Sequence, residues 1–205
     1  NCERLEYFNI NDCDTGGLSG AHLQMILKRA PRLRSLQAHW VLGTDKLSHL
    51  DILSSEWATT TLTHIDLKVH VPRIIVVDDE AEVDSEALQS SRNIQRQVLR
   101  RLGQQTHHRR IIVGGMASNP GTNVLGIQSH CLEMTLEAGL DELGRLKKLK
   151  LLDIHHMNVR TGVPELEWMV ANFPKLQMVT GLKNCLRPVG EDVLEWLQVH
   201  QPDWD

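Results

Sequence analysis

His64, Asp66 and His155 are the residues whose types and spacing come nearest to catalytic equipment. His64 and Asp66 stand two apart, so an extended chain puts both side chains on one face. Histidine and carboxylate on a shared surface could move protons in general acid–base chemistry. Metal binding is the other chemistry to weigh, because the chain has 11 histidines, among them the pairs His107–His108 and His155–His156 and the separate His64 and His70. A zinc site needs three or four converging ligands, whereas adjacent residues on a strand diverge. No G-x-S-x-G elbow is present, and none of the cysteines stands in a nucleophile signature. The glycine-rich run from Gly114 to Gly121 lacks the closing Gly-Lys-Ser/Thr of a phosphate loop and reads as a connection. We therefore expect no catalytic centre, no cofactor and no metal, and the question becomes what holds these polar residues in place.

Composition describes a folded chain with an aliphatic core. Of 205 residues 41% are hydrophobic and 23% charged, with aromatics at only 4%. The formal net charge of −4 gives no reason to expect nucleic acid. The densest apolar run, Ile74 to Val77, falls far short of the ~20 residues of a membrane helix, so no membrane partner is expected. Cys2, Cys13, Cys131 and Cys185 are scattered without a C-x-x-C pair. That favours a reducing compartment, cytoplasmic or nuclear. The start at Asn1 reads as a cropped edge of a longer protein.

One apolar triplet recurs along the chain: a residue, another three later, and a third two beyond. It appears at Leu5/Phe8/Ile10, Leu33/Leu36/Ala38, Leu62/Ile65/Leu67, Leu149/Leu152/Ile154 and, more weakly, Leu176/Val179/Gly181. His108/Ile111/Val113 and Cys131/Met134/Leu136 fit the same register, giving successive intervals of 28, 29, 46, 23, 18 and 27 residues. The second and third members share one face of a strand and point inward. One such unit is too thin to bury that face, so the units must stack.

Helical spacing fills the intervals. Leu23, Ile26, Leu27 and Ala30 form one stripe ended by Pro31, and Leu166, Met169, Val170 and Phe173 form another between Pro164 and Pro174. Ile94, Val98 and Leu102 mark a longer helix, and Val193, Leu194 and Leu197 a last one near Trp196 and Trp204. The expected fold is a single α/β domain over 1–205, a leucine-rich-repeat solenoid arc of about seven irregular repeats. It has a parallel concave sheet, helices on the convex side, an acidic insertion near 78–86 and a capping helix near 191–200. A doubly wound nucleotide-binding sheet would need longer apolar strands and a glycine-rich first turn.

The segment Gly139-Leu-Asp-Glu-Leu-Gly-Arg-Leu-Lys-Lys-Leu-Lys-Leu-Leu-Asp-Ile154 resembles the C-terminal repeats of fungal, Mortierella-type F-box/leucine-rich-repeat proteins. The stretch Val163-Pro-Glu-Leu-Glu-Trp-Met-Val-Ala-Asn-Phe-Pro-Lys-Leu-Gln-Met-Val-Thr-Gly181 carries the resemblance on, and Cys2 to Cys13 is similar to a generic F-box-type repeat. The resemblance is specific in the last third and generic elsewhere. It implies substrate capture by the repeats of a ubiquitin ligase subunit, with an F-box upstream recruiting the cullin adaptor. No F-box is visible from Asn1 onward, so adaptor binding is expected only through such an upstream segment. His108, where a leucine belongs, and the acidic stretch Asp78 to Glu86 depart from the pattern.

If the triplets face inward, their strand neighbours face out, and a solenoid uses that face for recognition. We expect a protein partner across the middle of the concave face, at His64, Asp66, Lys68, Arg110, Glu133, Asp153 and His155. The acidic stretch and the basic Arg100, Arg101, Arg109 and Arg110 read first as solvated charge. They are close enough in sequence to pair or to steer a charged partner. A repeat scaffold or regulator unrelated to ubiquitin is the alternative, and an enzyme built on His64, Asp66 and His155 the last.

Overall fold

The structure, a computed structural model, describes residues 2–11, 18–38, 47–71, 85–113, 132–155, 157, 161–182, 190–201 and 203–204. Six three-residue strands form one parallel sheet: β1 (Tyr7–Asn9), β2 (Ser35–Gln37), β4 (His64–Asp66), β6 (Arg110–Ile112), β7 (Leu151–Asp153) and β8 (Met178–Thr180), side by side in that order. Two shorter strands, β3 (Leu47–Ser48) and β5 (Val69–His70), pair parallel in a second sheet. The helices are α1 (Gly20–Arg29), α2 (His49–Ser54), α3 (Ser85–Gly103), α4 (Val163–Asn172) and α5 (Glu191–His200), with a 3₁₀ turn at Leu140–Arg145.

Six of the seven triplets each build one rung of three ladders. The middle ladder is Phe8, Leu36, Ile65, Ile111, Leu152 and Val179, all at 0% exposure except Phe8, which is half-buried at the first strand. The third members Ile10, Ala38, Leu67, Val113 and Ile154 are buried too. Each passes its backbone N–H to the carbonyl of the neighbouring strand, as from Leu67 to Ile112 at 3.0 Å and from Ile154 to Thr180 at 2.9 Å. Gly181 completes this ladder at a φ of +93°, and a Cβ there would run into the backbone of His155. Close backbone approach therefore explains why the last triplet ends in glycine.

The chain enters five of the six strands through the same tight turn. A backbone N–H bonds the carbonyl three residues earlier, from Leu5 to Cys2, Leu33 to Ala30, His108 to Gln105, Leu149 to Leu146 and Leu176 to Phe173, at 3.0–3.1 Å. Pro31 and Pro174 stand just inside two of these turns. Each follows the helix it terminates, where continuing would need an N–H that proline lacks. The helix starts have local causes as well. In α2 the Ser48 hydroxyl accepts the Asp51 N–H and the Asp51 carboxylate accepts the Ser48 N–H, both at 3.1 Å. In α4 the Glu165 carboxylate accepts the Gly162 N–H at 2.9 Å.

Among the described residues no strand forms at the expected seventh triplet, where Glu133 makes only an isolated bridge. Met134 is buried, but Leu136 is only half-buried, and β6 pairs directly with β7 instead of with residues near Met134. The Glu133 N–H is taken by Gln95 Oε1 of α3 at 2.7 Å and the Leu136 N–H by Glu165 Oε1 at 3.2 Å. Gly139, at φ +106°, then turns the chain into the 3₁₀ segment. The segment thus takes bonds from α3 and α4 and keeps only an isolated bridge, at Glu133, where a strand was expected. Cys131 and the glycine-rich run Gly114 to Gly121 lie outside the described residues, as does most of the acidic insertion near 78–86.

Helix α3 packs on α2 and on the 3₁₀ turn. Arg96 meets Asp141 at 3.1 Å and Arg100 meets Glu142 at 2.7 Å, while Arg92 pairs with Glu137. At the end of α3 the buried Gly103 lies so close to the Glu142 carbonyl that a Cβ would overlap it. Alanine normally stabilises a helical glycine position by up to about 1 kcal/mol. At Gly103 the sign should reverse, because overpacking costs typically 1–3 kcal/mol. Gly103→Ala is therefore expected to lower the thermal midpoint by several degrees, and an unchanged or higher midpoint would refute this close contact.

Candidate functional site

The register of the sheet sets two rows on the face opposite the core. One is Tyr7, Ser35, His64, Arg110, Leu151 and Met178, and the other Asn9, Gln37, Asp66, Ile112, Asp153 and Thr180. Neighbouring strands lie about 4.8 Å apart, so each row is a fixed array of side chains. Four expected site residues, His64, Asp66, Arg110 and Asp153, belong to these rows. His155 lies two residues beyond Asp153, and Lys68 two beyond Asp66, at the end of the same face.

Glu133 does not join them. It is 3% exposed, and its amide bonds to Gln95 of α3, so it lies in the contact between helix and core. Its outward assignment rested on a strand, whereas among the described residues Glu133 makes an isolated bridge and is buried. Ile112 and Ser35 are outward in register yet each only 8% exposed, so the middle of the face is not an open plane. Tyr7, Arg110 and Met178 are its exposed members near the strand starts.

Local hydrogen bonds orient the polar side chains. Asp153 Oδ1 accepts the His155 N–H at 3.0 Å and lies 2.8 Å from His155 Nδ1. Asn9 Oδ1 accepts the Asn11 N–H at 2.9 Å in the same way, and Asn11 Nδ2 donates to Asp66 Oδ2 at 3.3 Å. These are turns in which a short side chain replaces a backbone acceptor. His64 Nδ1 lies 2.9 Å from Thr63 Oγ1. Burial and the nearby Arg110 and Arg109 hold its imidazole below the usual histidine range, toward the neutral form.

His64, Asp66 and His155 bond to Thr63, Asn11 and Asp153 rather than to one another, and two strand spacings separate β4 from β7. They share a face without forming a triad. Among the described residues no group of three or more His, Cys, Asp or Glu is placed to hold a metal ion. No described helix is long and apolar enough to cross a membrane. Arg100, grouped in sequence with the basic patch, is held by Glu142, whose carboxyl that contact keeps below its usual range.

Sequence reading missed α2 and the small β3–β5 sheet beside the main one. Their one available signal was the spacing Ser48-x-x-Asp51, a capping pattern. No protein-family model matches the chain, and no curated protein is significantly similar to it.

Proposed function

We propose that the chain recognises another protein across the outward face of its parallel sheet, as a leucine-rich-repeat arc. In this reading it is the substrate-binding part of an F-box-type ubiquitin ligase subunit. The observation that carries recognition is the pair of outward rows, held in register by in-line backbone pairing across six strands. Rigid rows of mixed charge fix the register of a partner more than they supply bulk affinity. The ubiquitin ligase role rests on the resemblance of residues 139–181 alone.

The test is affinity capture followed by quantitative binding to the captured partner. Asp66→Asn and Asp153→Asn remove charge while keeping an oxygen acceptor for the local turns. A central, desolvated charge should cost ~2 kcal/mol or more in binding when removed. Gln97→Ala, on the exposed side of α3, should leave binding unchanged. The reverse pattern would place recognition on the helices. Fused behind an F-box, the chain should direct ubiquitination of that partner. Binding without ubiquitination would discard the ligase role and keep the recognition face.

A further inference from the structure

Immediately before the strands runs a third row, defined by backbone bonds alone. Arg34 N–H donates to the Glu6 carbonyl at 2.7 Å, Thr63 to Arg34 at 2.8 Å, Arg109 to Thr63 at 2.7 Å, Lys150 to Arg109 at 2.8 Å, and Gln177 to Lys150 at 2.8 Å. These six residues are therefore consecutive rungs at the edge where the strands start. Three of the six are cations, and Arg34, Arg109 and Lys150 are all exposed. Lys148 and Lys175 add exposed charge one step back from the row. The whole chain carries a net charge of −4, so this concentration does not follow from composition.

Basic residues at this edge could simply oppose the negative ends of helices. Lys147 does so, with Nζ donating to the Asn172 carbonyl at the end of α4 at 2.8 Å. Arg109, Lys148 and Lys150 are not on helices, and the carbonyls of Glu6, Arg34, Thr63, Arg109 and Lys150 are already filled by backbone N–H groups. Glu6 meets Arg34 at 3.6 Å, and no described carboxylate is within ion-pair distance of Arg109, Lys148 or Lys150. The field of Arg109 and Arg110 reaches His64 and helps keep it neutral. Among the described residues Arg34 alone of the three row cations has a carboxylate partner, Glu6, and the charge of Arg109 and Lys150 is uncompensated.

We propose that the strand-start edge docks an acidic, extended polypeptide segment through Arg34, Arg109 and Lys150. Rungs about 4.8 Å apart meet an extended peptide whose same-side residues recur about every 6.8 Å, a mismatch within the reach of long basic side chains. Carboxylates suit the planar fork of Arg34 and Arg109. Nucleic acid fits less well, because the row offers no aromatic ring for base stacking and the chain is acidic overall. This edge lies beyond the two outward rows, and the variants below leave those rows untouched.

The experiment measures fluorescence anisotropy of a labelled oligoglutamate peptide with the whole purified chain, at low and at physiological ionic strength. A labelled oligothymidylate of equal length is the second probe. Arg109→Gln/Lys150→Gln should weaken oligoglutamate binding about tenfold and flatten its salt dependence. Gln89→Glu/Gln97→Glu changes net charge by the same amount on exposed positions of α3 and should leave binding within twofold. Circular dichroism melts establish that all variants are folded. Equal loss in both double variants, no loss in the first, or no peptide binding at low ionic strength would overturn the proposal. Tighter binding of oligothymidylate than of oligoglutamate would overturn it in favour of nucleic acid.

Discussion

Leu152→Asp should leave no cooperatively folded population under conditions where the native chain is folded. Leu152 is fully buried on β7, with Ile111 and Val179 as the rungs on either side. An aspartate there is surrounded by aliphatic side chains, and the backbone donors of the sheet are committed to their ladder. Either the carboxylate is buried unpaired or the strand leaves the sheet, and such changes belong to the class costing more than about 4 kcal/mol. Single domains are stable by only about 5–15 kcal/mol in total. Leu152→Ala provides the graded comparison. It removes the packing without adding a charge, and should lower stability by roughly 2–5 kcal/mol, depending on how far the cavity collapses. Urea unfolding followed by circular dichroism measures both. An aspartate variant unfolding at the native midpoint would mean that the middle ladder is not the core.

The middle ladder was readable because its physics is local and repeated. An inward residue two positions from the next fixes strand phase, and prolines Pro31 and Pro174 mark where helix gives way to turn. The four helices read from apolar spacing all form, though Val170 and Leu194 at the margins of their stripes are exposed. Spacing alone failed at Met134 and Leu136, which match the triplet yet lie in a segment whose amides bond to Gln95 and Glu165. Those partners lie 38 and 29 residues away, and such captures leave no mark on local periodicity. Glu133 was misplaced for the same reason. Helix α2, six residues long, is too short for a periodic stripe. Of the expected site, residues on the true strands are where the register put them. What the sequence could not show was their small-scale pairing, such as Asp153 with His155, or the burial of Ile112 among them.

His108 is the place where the repeat pattern and the physics of burial conflict, and it should govern the response to acid. It occupies the first position of its triplet, between the rungs of Leu62 and Leu149, at 0% exposure. Neither ring nitrogen has a hydrogen-bond partner among the described residues. Burial, with smaller contributions from His64 and His107, pushes its pKa down to about 3. Unfolded, the same side chain titrates near 6.5. Below that pH the unfolded chain takes up a proton that the folded chain refuses, so stability falls as pH drops from about 6.5 toward 3. Above about 6.5 this loss vanishes. The slope from one such group approaches about 1.4 kcal/mol per pH unit. His108→Leu should raise stability at neutral pH, because it restores the leucine ladder and removes two unsatisfied polar atoms, each costing about 1–3 kcal/mol. It should also flatten the acid limb. Carboxylates such as Glu142 contribute acid sensitivity to both proteins, so the difference between their urea midpoints at pH 7 and pH 5 isolates His108. A leucine variant whose stability falls with acid as steeply as the native chain would show that His108 is protonated without cost.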